Sequence, residues 1–196
     1  MNETSALEHY LDALHPLSWE QKQRFFSLFT AFAIEKNVHL LRAGDRVEHL
    51  YFCLSGSFRM YYSTFEGRER VKTLGAAGDF VTSYSALLTG CPSSISIQAL
   101  QSSKLLKARF SDFKALTAVD PVWERVARLV SEGLYIKKER REMQLLTLSA
   151  EERYLIFLNE FGPWEDQFPQ HHIASYLGMT PVALSRIRSK LKKQFH

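Results

Sequence analysis

Several things are scarce in this sequence, and each scarcity excludes a class of protein. Its 196 residues include two cysteines, Cys53 and Cys91. Two so far apart exclude a disulfide framework and any multi-cysteine zinc or iron–sulfur spacing, and both read as buried small hydrophobes. No apolar run approaches the roughly 18 residues of a membrane span. The opening MNETSALEHYLDALH is acidic and amphipathic, unlike a secretory leader, so a soluble cytoplasmic protein with no membrane partner is expected. Catalytic groupings are missing as well: no Ser-His-Asp spacing, no paired acids in a motif, no phosphate-binding glycine loop. A cupin-like metal centre needs His and carboxylates clustered on strands, and the strand-rich region offers only His39 and His49. No catalytic residue, metal or enzyme activity is therefore expected. One further absence is local. None of the 21 Asp and Glu residues follows Gln170, whereas five of the 25 Lys and Arg residues do. The net charge of +4 thus belongs to one C-terminal patch, and such patches usually face polyanions.

What is present suffices for a large core: 45% hydrophobic residues, with 14 Phe and 8 Tyr. The length suits one large and one small domain. Ser18-Trp-Glu-Gln21 has capping-box spacing, and Phe25, Phe26, Leu28, Phe29 and Phe32 recur at helical intervals behind it. From Val38 short β-branched and aromatic stretches alternate with glycine turns (VHLLR, LYFCL, FRMYYS, RVKTL, then ISIQAL and KLLKA), the pattern of an antiparallel sandwich, roll or barrel. Phe65-Glu-Gly-Arg68 reads as a hairpin tip. Asp120-Pro121 opens a long helix as N-cap and first helical residue. In it Val122, Val126, Leu129, Gly133 and Ile136 follow at steps of three or four, the seam of a coiled coil, widened by Trp123, Val130 and Leu134. That stripe can pack on its own roll, but its length favours a second copy of the chain. A second capping box, Ser149-Ala-Glu-Glu152, starts a helix ended by Gly162-Pro163. The expected units are 1–118, 119–146 and 147–196.

The final segment, QHHIASYLGMTPVALSRIRSKLKKQFH, fits a helix-turn-helix counted from Gln170. Ala174 falls where two helices touch, and Gly178 where a tight turn needs positive φ. Ile173, Leu177, Met179, Leu184 and Ile187 take the apolar positions. Thr180 can cap the second helix, with Pro181 at its first position. On that helix Val182, Arg186, Ser189 and Lys193 lie opposite the apolar side, with Ser185 beside them. Such a face suits a DNA major groove, Arg186 pairing with guanine, Ser185 or Ser189 meeting base or phosphate and Val182 a thymine methyl. Arg188, Lys190, Lys192 and Lys193 are candidate phosphate contacts, as is His171. His171 and His172 lack a third metal ligand nearby. The alternative is a small helical bundle whose last helix is simply solvated.

The order of roll, long helix and helix-turn-helix resembles the Crp/Fnr family of bacterial transcription regulators. The likeness includes Leu41-Arg-Ala-Gly-Asp45, Tyr51-Phe-Cys-Leu-Ser-Gly-Ser57, Phe65-Glu-Gly-Arg-Glu69 and Gly78-Asp-Phe80. It implies an α+β protein with a cyclic-nucleotide-binding-like antiparallel β-roll (jelly-roll or cupin-like), a homodimer through the long helix, double-stranded DNA as partner and RNA polymerase as a further one. Two departures stand out. Cyclic-nucleotide binders of the family place a Glu and an Arg after Gly-Asp-Phe, and here Ser83 and Ser93 stand in those places. No basic residue occurs between Lys72 and Lys104, and an unmatched cyclic phosphate is costly to desolvate. Cyclic AMP is therefore not expected as a cofactor. Thr82, Ser83, Ser85, Ser93 and Ser94 can line a pocket for a neutral effector, or the roll is plugged and its hydroxyls bond its own backbone. The second departure is at the end, where Gln194-Phe195-His196 is too short for the β-hairpin wing that commonly follows the recognition helix. Pro181 and Val182 also replace the Arg and Glu with which the cyclic-AMP-binding type member reads bases, so the target should differ. The resulting expectation is a palindrome-reading regulator using residues 181–193. The other reading is an effector-binding or protein-interaction module whose roll persists while useful DNA affinity is lost.

Overall fold

A computed structural model describes residues 4–194. Phe195 and His196, on which the expectation of a missing wing bears, lie outside them. Two short helices, α1 (Ser5–Leu14) and α2 (Trp19–Phe26), come first. The α2 capping box forms in both directions: the Gln21 N–H donates to Ser18 Oγ (3.2 Å) and the Ser18 N–H to Gln21 Oε1 (2.9 Å). That helix stops at Phe26, so the helical spacing through Phe32 does not hold. Phe32 lies in β1 (Thr30–Ile34), where Phe32 and Ile34 point to one face.

Among the described residues, seven antiparallel strands form two facing sheets. The first has the order β1-β7-β3, with β3 at His49–Ser55 and β7 at Ser103–Arg109. The second is β2-β6-β4-β5, from His39–Leu41, Ser96–Ala99, Ser57–Ser63 and Glu69–Ala76. The β4–β5 hairpin closes through Gly67 (φ 75°), within the expected tip. Between the sheets lie Cys53, Phe58, Met60, Val81, Ile95, Ile97 and Leu105. Strand alternation turns Phe52 and Leu106 the other way, onto a second core with Leu7, Leu11, Phe25 and Trp123. Two helices unassigned from sequence complete the roll, α3 (Tyr84–Thr89) and α4 (Phe110–Val119).

Helix α5 runs from Val122 to Thr147. Pro121 stands at its N-cap, one residue later than expected from the sequence, and Asp120 Oδ1 accepts the Val122 N–H at 3.0 Å just ahead of it. Its first turns pack on the roll, the Trp123 ring stacked on Phe25 at 5.0 Å. Then come α6 (Ala150–Phe161), a 3₁₀ segment (Gly162–Gln167), α7 (Gln170–Leu177) and α8 (Pro181–Gln194). The Ser149–Glu152 box closes reciprocally at the start of α6. Among the described residues no helix is long and apolar enough to cross a membrane.

Candidate nucleic-acid interface

The helix-turn-helix geometry follows from a few residues. Ile173, Ala174, Leu177 and Leu184 are buried where α7 and α8 meet. Gly178 sits at φ 66°, ψ 36°, and a Cβ there would lie 3.0 Å from Leu145 Cδ2. The left-handed conformation calls for glycine, and a Cβ would also push the exposed Leu145 tip aside. Thr180 Oγ1 accepts the Ala183 N–H (3.2 Å), capping α8 as its position suggested. Gln170 Nε2 donates to the Pro181 carbonyl (3.2 Å), so exposed His171 shares an end of the unit with Thr180 and Pro181.

Helix α8 buries Leu184 and Leu191 and leaves Val182 (61% exposed), Ser185, Arg186, Ser189, Lys192 and Lys193 on its accessible surface. Ser185, Arg186, Ser189, Lys190 and Lys193 line one shallow hollow there. The Ser189 hydroxyl is already spent on the Ser185 carbonyl (3.0 Å). Two cations are also engaged. Lys190 pairs with Glu151 at 2.6 Å while staying largely exposed. Arg188 turns inward instead of flanking the outer face: it pairs with Glu165, and its Nε donates to Tyr154 Oη at 3.1 Å. Sequence reasoning missed Glu165 and Tyr154, since no local pattern joins them to residue 188. Arg186, Lys192 and Lys193 have no acidic partner among the described residues.

The unit is seated on the roll. Val71, Leu74, Ala76 and Leu100 share a core with Phe157, Phe161, Phe168, Tyr176 and Leu177. β5 is an edge strand, and its Val71 N–H donates to Ser175 Oγ (3.0 Å), so α7 covers part of that edge. From α5, Arg141 lies 4.0 Å over the Tyr176 ring and Lys137 pairs with Glu160 at 2.6 Å. His172 faces this junction, its pKa pushed down to about 4 by burial and by the neighbouring charges of Arg59 and His171, against the opposing pull of Glu69. The folded protein keeps this imidazole neutral, whereas the unfolded chain protonates it near its ordinary 6.5. Stability supplied here is complete above pH 6.5 and is lost as pH falls towards about 4. Urea midpoints measured through that window should decline less steeply in His172→Gln. Some slope will remain, because burial also holds His39 and His49 low. An unchanged slope would place His172 in solvent.

The seam residues of α5 separate into two groups. Val126 is buried (3% exposed) against Phe25, Trp123 and the roll's outer core, with Val122 partly buried beside it. Val126 is therefore not available to a second copy, a correction to the expected interface. Leu129 is partly covered, while Gly133 and Ile136 (45% exposed) are open, together with Leu134, Tyr135, Met143 and Leu146. Met143 continues the seam one heptad beyond Ile136, a signal the sequence carried. Tyr84 Oη and Ser131 Oγ meet at 3.0 Å, tying α3 to α5.

The five hydroxyl residues do not gather into one pocket. Ser83 and Ser93 are buried, Thr82 is partly so, and Ser85 and Ser94 are exposed. Ser93 Oγ donates to the Ile95 carbonyl (2.8 Å) and Thr82 Oγ1 to that of His49 (3.0 Å), as in the plugged alternative. A cavity of about 190 Å³ lies nearby, lined by Leu40, Leu41, Arg46, His49, Tyr51 and Val81 among others, with Thr82 alone of the five. No three His, Cys, Asp or Glu side chains among the described residues are grouped to hold a metal ion.

Comparison with known proteins agrees with this architecture. Residues 32–120 match the family model of the cyclic nucleotide-binding domain. The fumarate and nitrate reduction regulatory protein of Vibrio cholerae serotype O1 is 30% identical over 173 residues, 82% of this chain and 68% of that protein. The protein of that name from Escherichia coli K12 is 29% identical over 199 residues, 95% of this chain and 74% of the relative. The structure of FixK2 from Bradyrhizobium japonicum superposes with a TM-score of 0.74 at 21% identity, covering 85% of each chain. With roll, long helix and helix-turn-helix in one order and relatives matching across nearly the whole length, the chain belongs to the Crp/Fnr family of transcription regulators.

Proposed function

We propose that the protein acts as a homodimer that binds double-stranded DNA, placing the α8 helices of two copies in successive major grooves of an imperfect palindrome. The observation that carries this reading is the outward face of α8. Val182, Ser185, Arg186 and Lys193 stand free on a helix whose opposite side is locked into a helix-turn-helix core. In this reading residues 1–118 form the sensing or scaffolding roll, 119–146 hold the two copies together and 147–196 read DNA. RNA polymerase is the partner through which bound protein acts on transcription in the cytoplasm, with no reaction catalysed.

In this reading the roll does not respond to a cyclic nucleotide. At the cassette positions Ser83 and Ser93 are buried, and Ser93 is bonded to its own backbone. No Lys or Arg lies between Lys72 and Lys104 to meet a phosphate. Met60 packs in the core between the sheets, and Val81 and Ile97 form the inner wall of the small cavity beside Thr82. These features support a regulator that is not controlled by cyclic AMP.

The test begins by selecting bound duplexes from a random pool with the full chain. Arg186→Ala should then cost about 1–3 kcal/mol and relax base preference at one position per half-site. Lys192→Ala should weaken all sequences alike, and its salt dependence should lose about 0.9 in log–log slope per half-site. Both measurements are titrations across a salt series. If both variants bind as wild type does at low salt, α8 is not the reading helix, and the effector or protein-interaction reading takes its place.

A further inference from the structure

Arg188 projects from the same helix as Arg186, yet the structure uses it differently. Three groups from three elements close a small hydrogen-bonded ring. Arg188 of α8 pairs with Glu165 Oε1 of the 3₁₀ segment. Its Nε donates to Tyr154 Oη of α6 at 3.1 Å, and that hydroxyl donates to the same Glu165 oxygen at 2.6 Å. Tyr154 is buried, and the Arg188 and Glu165 side chains are only 28% and 23% exposed.

Leu184 and Leu191 hold α8 to its scaffold by contacts that have no directional preference. A guanidinium shared between a carboxylate and a phenol is directional. Rotation of α8 about its axis swings Arg186 and Ser185 across the groove, and recognition tolerates only about 10–20° of such error.

We propose that Arg188, Glu165 and Tyr154 form a clamp that sets the rotation of α8, making them positioning residues for base reading and removing Arg188 from the phosphate contacts. The proposal rests on the DNA-binding reading above. It also separates an acid's charge from its geometry. If Glu165 merely repels phosphate, Glu165→Gln should tighten binding to every duplex and steepen the salt slope. The clamp requires the opposite sign for the selected duplex.

The experiment uses the full-length protein, the duplex that wild type selects and a scrambled duplex of equal length, each titrated across a salt series. Glu165→Gln should weaken the selected duplex about tenfold while leaving the scrambled one no weaker, so that the ratio between them falls. Arg188→Ala should give the same loss with an unchanged salt slope, and the double variant should lose no more than either single one. Arg188→Lys should not rescue, because a single ammonium lacks the planar fork. Tighter binding of both duplexes by Glu165→Gln would overturn the clamp. So would a slope flattened by about 0.9 per half-site in Arg188→Ala, the mark of a phosphate contact. Hydrogen exchange of the DNA-free protein decides independently of any duplex. In Glu165→Gln the α8 amides should exchange faster while those of the roll do not, and unchanged α8 exchange would again overturn the clamp. Wild type that binds no duplex would end the DNA-binding reading, with the exchange result still judging the clamp.

Discussion

Phe157→Ala is expected to cost about 3–5 kcal/mol of stability, a large part of what a domain of this size possesses. Phe157 is 1% exposed and lies at the centre of an aromatic group. Its ring centroid is 6.2 Å from that of Tyr154, 5.4 Å from Phe161 and 6.2 Å from Tyr176. Tyr176 belongs to α7, and the same core reaches Leu74 and Leu100 of the roll. Truncation therefore opens a cavity where α6, α7 and the roll converge, and aromatic walls on several sides cannot all move in to fill it. Urea unfolding followed by circular dichroism measures the loss. Leu155→Ala, at a 41% exposed position on the same helix, is the control and should shift stability by no more than about 0.5 kcal/mol. A cost for Phe157→Ala comparable to that control would mean the rings are not packed together.

Some of this architecture was legible in the sequence because certain local geometries admit few residues. A left-handed turn beside a leucine side chain admits glycine at 178, a helix start favours Thr180 followed by Pro181, and a close helix contact leaves room only for Ala174. Helical periodicity is less specific. It identified an apolar stripe on α5 without saying whose surface the stripe meets, so Val126 was grouped with Ile136 although one faces the roll and the other faces out. The same ambiguity carried the α2 pattern through Phe32, six residues past the end of that helix and the third residue of strand β1. Contacts between distant segments were not legible at all. Glu165 comes within reach of Arg188 only because Gly162-Pro163 tightens the end of α6 into a 3₁₀ segment, a path that no spacing rule supplies.

That last contact changes the electrostatic account of the C-terminal patch. Five Lys and Arg residues follow Gln170, but they are not equivalent anion contacts. Arg188 is held in a partly buried ring and is costly to withdraw. Lys190 and Glu151 form a surface pair, with side chains 57% and 32% exposed, worth at most about 1 kcal/mol. A phosphate can compete for Lys190, while Arg186, Lys192 and Lys193 have no acidic partner among the described residues. If α8 reads DNA as proposed, base-reading and charge-neutralising roles would divide among neighbouring residues of one helix, with the division set by acids contributed from α6 and the 3₁₀ segment.

Ile136→Glu should convert the protein to a monomer at micromolar concentration and weaken its selected duplex by about 100-fold or more, because two tethered half-sites gain roughly 10²–10⁴ over one. Gly133 points to a second copy of the helix. A glycine inside a helix costs about 1 kcal/mol relative to alanine, and a Cβ at this position would meet nothing within 4 Å in its own subunit. Nothing in the single chain offsets that cost, whereas a close approach by a second α5 would. Around it lie Leu134, Ile136 and Met143, each between 42% and 47% exposed. A carboxylate introduced at residue 136 would be buried unpaired in the paired helices, twice by symmetry, and that penalty opposes association without disturbing the isolated fold. Sedimentation velocity measures the oligomer and a duplex titration the affinity. Val126→Glu supplies the contrast, since Val126 faces its own roll and that substitution should lower the melting temperature of the whole protein. If Ile136→Glu sediments as wild type does and binds DNA equally well, the open face of α5 is not where two copies meet.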